Sequence, residues 1–122
     1  FVEDVTIAGI NEAASIYAST DWKSKLERHH FFQTDDVFRA WVDTWRQPAF
    51  RDWQMIDELP NIICPILVIQ GNDDQFGSDE QVHIICDKVS GTATKMILAD
   101  CGHIPHFDQP DQIIEAVSIF LS

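Results

Sequence analysis

Three residues of this chain have the types and placement for proton-transfer chemistry. Asp73 and Asp74 follow the apolar run Pro65 to Gln70, which ends at Gly71-Asn72. His103 follows a second apolar run, Met96 to Ala99, through Asp100-Cys101-Gly102. In an open parallel sheet, functional groups collect on the loops beyond the carboxyl ends of the strands. If the two runs are parallel neighbours, an aspartate and a histidine share one rim. Such a pair is two thirds of a nucleophile–His–acid relay. The carboxylate keeps one imidazole nitrogen protonated and stabilises the imidazolium, and the other nitrogen takes a proton from the nucleophile. A hydroxyl and its oxyanion donors must complete the relay.

Neighbouring residues compete for these roles. Asp73 and Asp74 differ by one residue of turn, which changes which of them faces the histidine. His106 is read as a loop residue bonded to backbone, and Asp100 as a carboxylate facing solvent or a backbone N–H. Cys101, His103 and His106, with His83 and Cys86, have the residue types of metal ligands. The spacing C-x-H-x-x-H matches no closed zinc site, and Cys86 falls on an apolar helical stripe. No metal and no cofactor are assigned. Ser78 and Ser90 read as helix-cap residues, Ser118 lies in a predicted helix and Ser122 is the last residue. None of them is placed as a nucleophile.

The elements that must position the pair read as strand, acidic turn, helix, strand and histidine loop between Cys64 and Pro110. Ser78-Asp79-Glu80-Gln81 fits a capping box. Val82, Ile85, Cys86 and Val89 mark a buried helical stripe, and Ser90-Gly91 supplies a stop that tolerates the left-handed conformation. A last helix opens at Pro110, where a missing N–H costs nothing. Its apolar face is Ile113, Ile114, Val117, Phe120 and Leu121.

This wording resembles the last strands of an α/β-hydrolase. Many members read P-x-L-V-x-x-G-x-x-D at the acid strand, then G-H about thirty residues later, then a helix led by proline. Here the matching residues are Pro65 to Asp74, Gly102-His103, and Gln109-Pro110-Asp111. The resemblance covers the second half of the chain. It implies that Asp74 is the acid and His103 the general base, 29 positions apart. The family's nucleophile sits in G-x-S-x-G on a strand-to-helix elbow, and these residues hold no such stretch. The resemblance therefore places the elbow upstream of Phe1. It implies a small, apolar, ester-like substrate, hydrolysed by nucleophilic attack.

The first half reads as helices. Phe1 to Val5 alternates like the tail of a strand, and the resemblance makes residues 1–10 a strand end and the entry to the cap. Asn11 to Ala18 is helical, and Asp21 can cap a helix from Trp22 to His30. Thr34 is a further cap candidate, with Asp35 and Asp36 favoured by the dipole of the first turn. Val37, Phe38, Trp41, Val42 and Trp45 form one helical face. Arg46-Gln47-Pro48 ends that helix, a short one carries Phe50, Trp53 and Ile56, and Pro60 is read as forcing an extended link. Residues 11–60 thus look like a helical cap segment, and residues 61–122 like the last β-α-β-α of a hydrolase core.

Composition narrows the function classes. Hydrophobic residues make up 45% of the chain, enough for a packed core and too many for a disordered segment. A net charge of −12 argues against a partner with a phosphate backbone. No run has the length of a membrane span. The three cysteines have no paired spacing and read as free thiols of a reducing compartment, which places the protein in the cytoplasm. Three functions fit: the C-terminal part of a serine-type hydrolase, a non-catalytic binding relative of that family, or an unrelated small α/β interaction module.

Two parallel strands do not make a self-sufficient doubly wound sheet. The fold class is therefore α/β, as an incomplete α/β-hydrolase fold. Ile66-Leu67-Val68-Ile69 is apolar on both faces, and its free edge offers unpaired N–H and C=O groups. The expected remedy is self-association through that edge, or a missing N-terminal half that accompanies the chain. Light scattering with denaturing mass measurement of the same sample tests this. A monodisperse monomer at tens of micromolar (roughly, the range where exposed edges aggregate), with no second polypeptide, would favour the small α/β module.

Overall fold

The computed structural model describes all 122 residues, Phe1–Ser122. The chain forms two compact units, one of residues 2–53 and one of residues 54–122 together with Phe1.

The first unit is helical. α1 spans Asp4–Ser19, α2 spans Trp22–His30 and α3 spans Thr34–Arg46, with 3-10 turns at Phe31–Gln33 and Pro48–Phe50. The alternation at Phe1 to Val5 does not give a strand, because the helix begins at Asp4. Thr6 Oγ1 accepts the Glu3 N–H at 3.2 Å, and Asp4 lies in the first turn, where the dipole favours it. Ile10 and Ala13, one helical turn apart, are then buried on the same face. Five alternating residues cannot outweigh that longer period.

Thr34 is the first residue of α3 rather than its cap. Its hydroxyl donates to the Phe31 carbonyl at 2.7 Å, and the side chain is 2% exposed. The tight passage before it places Phe31 at φ 52°, a left-handed conformation rare for an aromatic residue. Aromatic rings fill the space between the helices. Tyr17 stacks on Phe38 with centroids 3.8 Å apart, and Trp22 and Trp41 meet Phe38 at 6.2 and 5.8 Å. Trp45 packs edge-on against Phe50 and Trp53. At the rim of this cluster, Asp35 accepts from Tyr17 Oη at 2.6 Å and from Lys23 Nζ at 2.5 Å.

The second unit holds the sheet. β1, Ile66–Gly71, runs parallel to β2, Ala93–Leu98, with Ile66 opposite Ala93 and Gly71 opposite Leu98. α4, Glu80–Lys88, makes the crossover and packs on both strands, and its Val82 is buried. Ser78 lies just before the helix, and its Oγ accepts the Glu80 N–H at 3.2 Å. The Gln81 side-chain amide donates to the Phe1 carbonyl at 2.8 Å. Pro60 does not force an extended link. It sits inside a 3-10 turn at Ile56–Asn61, and the extended segment follows it.

Gly91 serves close approach, not a left-handed turn, since no glycine has positive φ. A side chain there would collide with the Cys64 carbonyl, while Ser90 and Gly91 N–H both donate to the Ile62 carbonyl at 3.0 and 2.9 Å. α5, Pro105–Asp108, and α6, Pro110–Phe120, close the chain. Of the apolar face expected on α6, Ile113 and Phe120 are half-buried. Ile114, Val117 and Leu121 are exposed, because a two-stranded sheet offers little surface to cover them. No helix is long and apolar enough to cross a membrane.

The rim beyond the strands is bound by backbone. Asn72 N–H donates to the Leu98 carbonyl and Asp73 N–H to the Cys101 carbonyl, both at 2.9 Å. At Gly71 the two loops touch, so that an added Cβ would collide with the Cys101 and Gly102 carbonyl oxygens. Backbone cannot give way as a flexible side chain would. Gly71→Ala is therefore expected to cost about 1–3 kcal/mol, the range for overpacking, read as a lower urea midpoint at unchanged slope. An unchanged midpoint would mean that the loops are not in contact there.

A second expectation comes from the Tyr17–Asp35–Lys23 cluster. The hydrogen bonds from Lys23 and then Tyr17 hold the Asp35 carboxyl below its ordinary value of 3.8. Desolvation and the bond to Asp35 push Tyr17 up to about 12, and the bond to Asp35 raises Lys23. Asp35 binds protons less well folded than unfolded, so its stabilisation is present above 3.8 and is lost as the pH falls through the folded value. Tyr17 and Lys23 bind protons better when folded. Their stabilisation is full below their ordinary values of 10.0 and 10.5 and is lost as the pH rises through the folded ones. Asp35→Asn should flatten the dependence of the urea midpoint on pH at both ends. A profile parallel to wild type would show that the cluster contributes nothing.

Candidate active site

Asp74 lies three residues past the end of β1, and His103 five past the end of β2. The parallel register brings these loops side by side, and the two side chains meet. His103 Nδ1 lies 2.9 Å from Asp74 Oδ2 and 3.0 Å from Oδ1. An ionised carboxylate only accepts hydrogen bonds, so Nδ1 carries the proton that faces it. In the neutral ring Nε2 is then the unprotonated nitrogen, able to take a proton from another group.

The two partners differ in exposure. The Asp74 side chain is 9% exposed and that of His103 is 50% exposed. The carboxylate is set by more than the imidazole. Oδ1 also accepts the Phe76 N–H at 2.8 Å, an Asx turn that fixes the loop, and the Gln70 amide lies 3.4 Å from Oδ2. Gln70 is itself anchored, with Nε2 donating to the Gly77 carbonyl at 2.7 Å in a buried position. The Phe76 ring stands edge-on to the imidazole, with centroids 4.7 Å apart.

The competing residues lie elsewhere. Asp73 is exposed, and it is its backbone N–H that bonds to the histidine loop. Asp100 turns the chain at φ 51° and is exposed. His106 is on α5, with its ring 4.7 Å from that of Phe107. His83 is on α4, 3.0 Å from Lys95 Nζ and 3.8 Å from Asp79. Cys86 is half-buried on the same helix. These groups do not converge with His103, and no three His, Cys, Asp or Glu side chains form a metal-binding group.

Cys101 is 1% exposed, and its thiol is pushed up by burial, with Asp108, Asp73 and Asp74 adding to the effect. Since the thiolate is the nucleophilic form, this cysteine is held in its unreactive state. All three cysteines are free. The Ser19, Ser118 and Ser122 hydroxyls donate to carbonyls of their own helical turns, and none stands on a strand-to-helix elbow.

Sequence reasoning passed over four residues around the pair: Gln70, Gly71, Phe76 and Asp108. Gln70 carried a signal, being the one polar side chain in an otherwise apolar strand. Gly71 stood at the end of that run, but the need for it comes from the other loop. Phe76 and Asp108 act through contacts that no local pattern announces.

Comparison with known proteins identifies the family and the fold. The family model described as "Alpha/beta hydrolase family" matches residues 5–116. No curated protein matches the sequence. Among solved structures, a serine hydrolase involved in carbazole degradation superposes with a TM-score of 0.61 at 20% identity, over 75% of this chain and 35% of that one. The 2-hydroxy-6-oxo-6-phenylhexa-2,4-dienoate hydrolase of Rhodococcus sp. strain RHA1 gives 0.57 at 12% identity, over 93% of this chain and 48% of that one. The proline iminopeptidase of Mycobacterium smegmatis gives 0.53 at 20% identity, over 93% and 46%. The chain thus spans between about a third and a half of the length of these structures, and at such identities the likeness is one of fold. With the family model covering nearly the whole sequence, the chain belongs to the α/β-hydrolase family.

Proposed function

We propose that this chain supplies the acid and the general base of a serine-type hydrolase, Asp74 and His103, and that the nucleophile is contributed by residues other than these 122. The observation that carries the reading is the bond from His103 Nδ1 to a mostly buried carboxylate that is itself fixed by other donors. That arrangement leaves Nε2 as the proton acceptor and supports the imidazolium that forms when it is used. The absence of G-x-S-x-G, and of a serine on an elbow, supports a nucleophile outside this sequence.

In this reading the helical residues 11–60 are the cap segment, preceding the acid strand in the chain. Their aromatic content suits a small apolar ester-like substrate. The structural neighbours include a 2-hydroxy-6-oxo-6-phenylhexa-2,4-dienoate hydrolase and a proline iminopeptidase, so the fold alone does not select a reaction.

The test has two arms. In a polypeptide that carries this chain together with the nucleophile, Asp74→Asn should lower kcat on the order of 10⁴-fold by favouring the wrong tautomer. His103→Ala should lower it by as much or more, and Asp73→Asn should leave it near wild type. An Asp73 variant worse than the Asp74 variant would reassign the acid. The 122-residue chain by itself should turn over an activated ester no faster than its own His103→Ala variant. A robust rate lost in that variant would place the nucleophile inside these residues.

A further inference from the structure

His103 sits on a loop whose backbone has to be held if the ring is to stay against Asp74. Asp108 Oδ2 accepts the Gly102 N–H at 2.8 Å, across six residues of chain. This N–H belongs to the residue immediately before His103, in the peptide that joins Cys101 to Gly102. The next residue, Gln109, reaches back in the same direction, with Nε2 3.5 Å from the Ala99 carbonyl and 3.4 Å from that of Asp100. On the far side, the Cys101 carbonyl accepts the Asp73 N–H at 2.9 Å. Of these contacts, the bond from Gly102 to Asp108 is the short, charge-assisted one, and such bonds are about twice as strong as neutral ones.

Asp108 owes its position to the short helix α5. Pro105 opens that helix, and the Asp108 N–H donates to the Ile104 carbonyl at 3.1 Å, turning the chain so that residue 108 comes back beneath residue 102. Gly102 is open enough for this approach, since a Cβ built on it would meet Asp108 Oδ2 at 3.3 Å. The loop is thus closed into a ring by a side chain that touches neither the imidazole nor the acid in the contacts described above.

We propose that Asp108 is a positioning residue for His103, acting by locking the Gly102 peptide so that the imidazole keeps its Nδ1–H on Asp74. The inference rests on the relay proposed above, in which that Nδ1–H contact matters for turnover. Its structural part stands apart from catalysis. A carboxylate is not required as such. Any side chain of the same length that offers an acceptor oxygen will serve, which separates this role from an electrostatic one.

The experiment follows the His103 Nδ1 proton by NMR in the full chain, where a proton held on a carboxylate gives a strongly downfield resonance. Asp74→Asn identifies the signal by abolishing it. Asp108→Ala should broaden or remove it, and Asp108→Asn, which keeps an acceptor oxygen, should retain it. The Gly102 amide of the unmodified protein should exchange at least about tenfold more slowly than an unprotected amide. In the polypeptide with its nucleophile, Asp108→Ala should lower kcat about tenfold or more with little change in KM, as expected for a lost transition-state arrangement, and Asp108→Asn should restore it.

A signal that persists in Asp108→Ala, or one lost equally in both variants, overturns the proposal. So does a Gly102 amide that exchanges freely, a check that holds even if Asp108→Ala fails to fold. Turnover that ignores His103 altogether would instead overturn the relay, leaving the NMR result to judge the loop.

Discussion

The pairing of two parallel strands, carried past their ends by backbone, is the constraint on which the site depends. Within the ladder, Gly71 faces Leu98. Beyond it, Asn72 and Asp73 continue donating to the carbonyls of Leu98 and Cys101. The loops are therefore fixed to each other by main-chain groups before any side chain is considered. A hydrogen bond between side chains at a half-exposed site contributes little by itself, and it holds a geometry only when the backbones beneath it are already set. Here the strand register does that setting, and the absent Cβ at Gly71 lets the loops approach closely enough.

Much of this was legible in the sequence because it is written locally. An apolar run ending in Gly71-Asn72-Asp73-Asp74 and another ending in Gly102-His103 give two strand ends, and α2 and α6 begin where Trp22 and Pro110 say they should. The errors came where a short pattern was ambiguous or a long-range contact decided. Phe1 to Val5 alternates like a strand but precedes a sixteen-residue helix whose buried face begins further on. Pro60 reads as forcing an extended link, although a 3-10 turn holds it. Gly91 looked like a left-handed cap, and its real constraint is the Cys64 carbonyl, 27 residues earlier in the chain. Of the candidate site, Asp74 and His103 themselves were visible. The supports, Gln70, Phe76 and Asp108, were not, since each is defined by what it reaches across a loop.

The helical unit shows a different economy. Its small helices are joined through rings stacked on Phe38 and around Trp45 more than through a deep aliphatic core, where only Ile10, Ala13 and Val42 are buried apolar residues. Aromatic rings bury large areas per residue, which lets three short helices hold together without many fully enclosed side chains. The strongly acidic balance of the chain is locally offset at Asp35, where a lysine and a tyrosine share one carboxylate.

The unequal exposure of Asp74 and His103 has a mechanical consequence. The carboxylate is a fixed post, with the Phe76 amide and the Gln70 amide group on it besides the imidazole. The imidazole is a hinged arm, half in solvent and steadied at its side by the edge of the Phe76 ring. Side chains of such exposure change rotamer on the picosecond to nanosecond scale. When the arm swings out, the post keeps its remaining bonds and does not relax. The return costs one side-chain rotation and no rebuilding of the loop, so the contact can break and re-form on the timescale of that rotation.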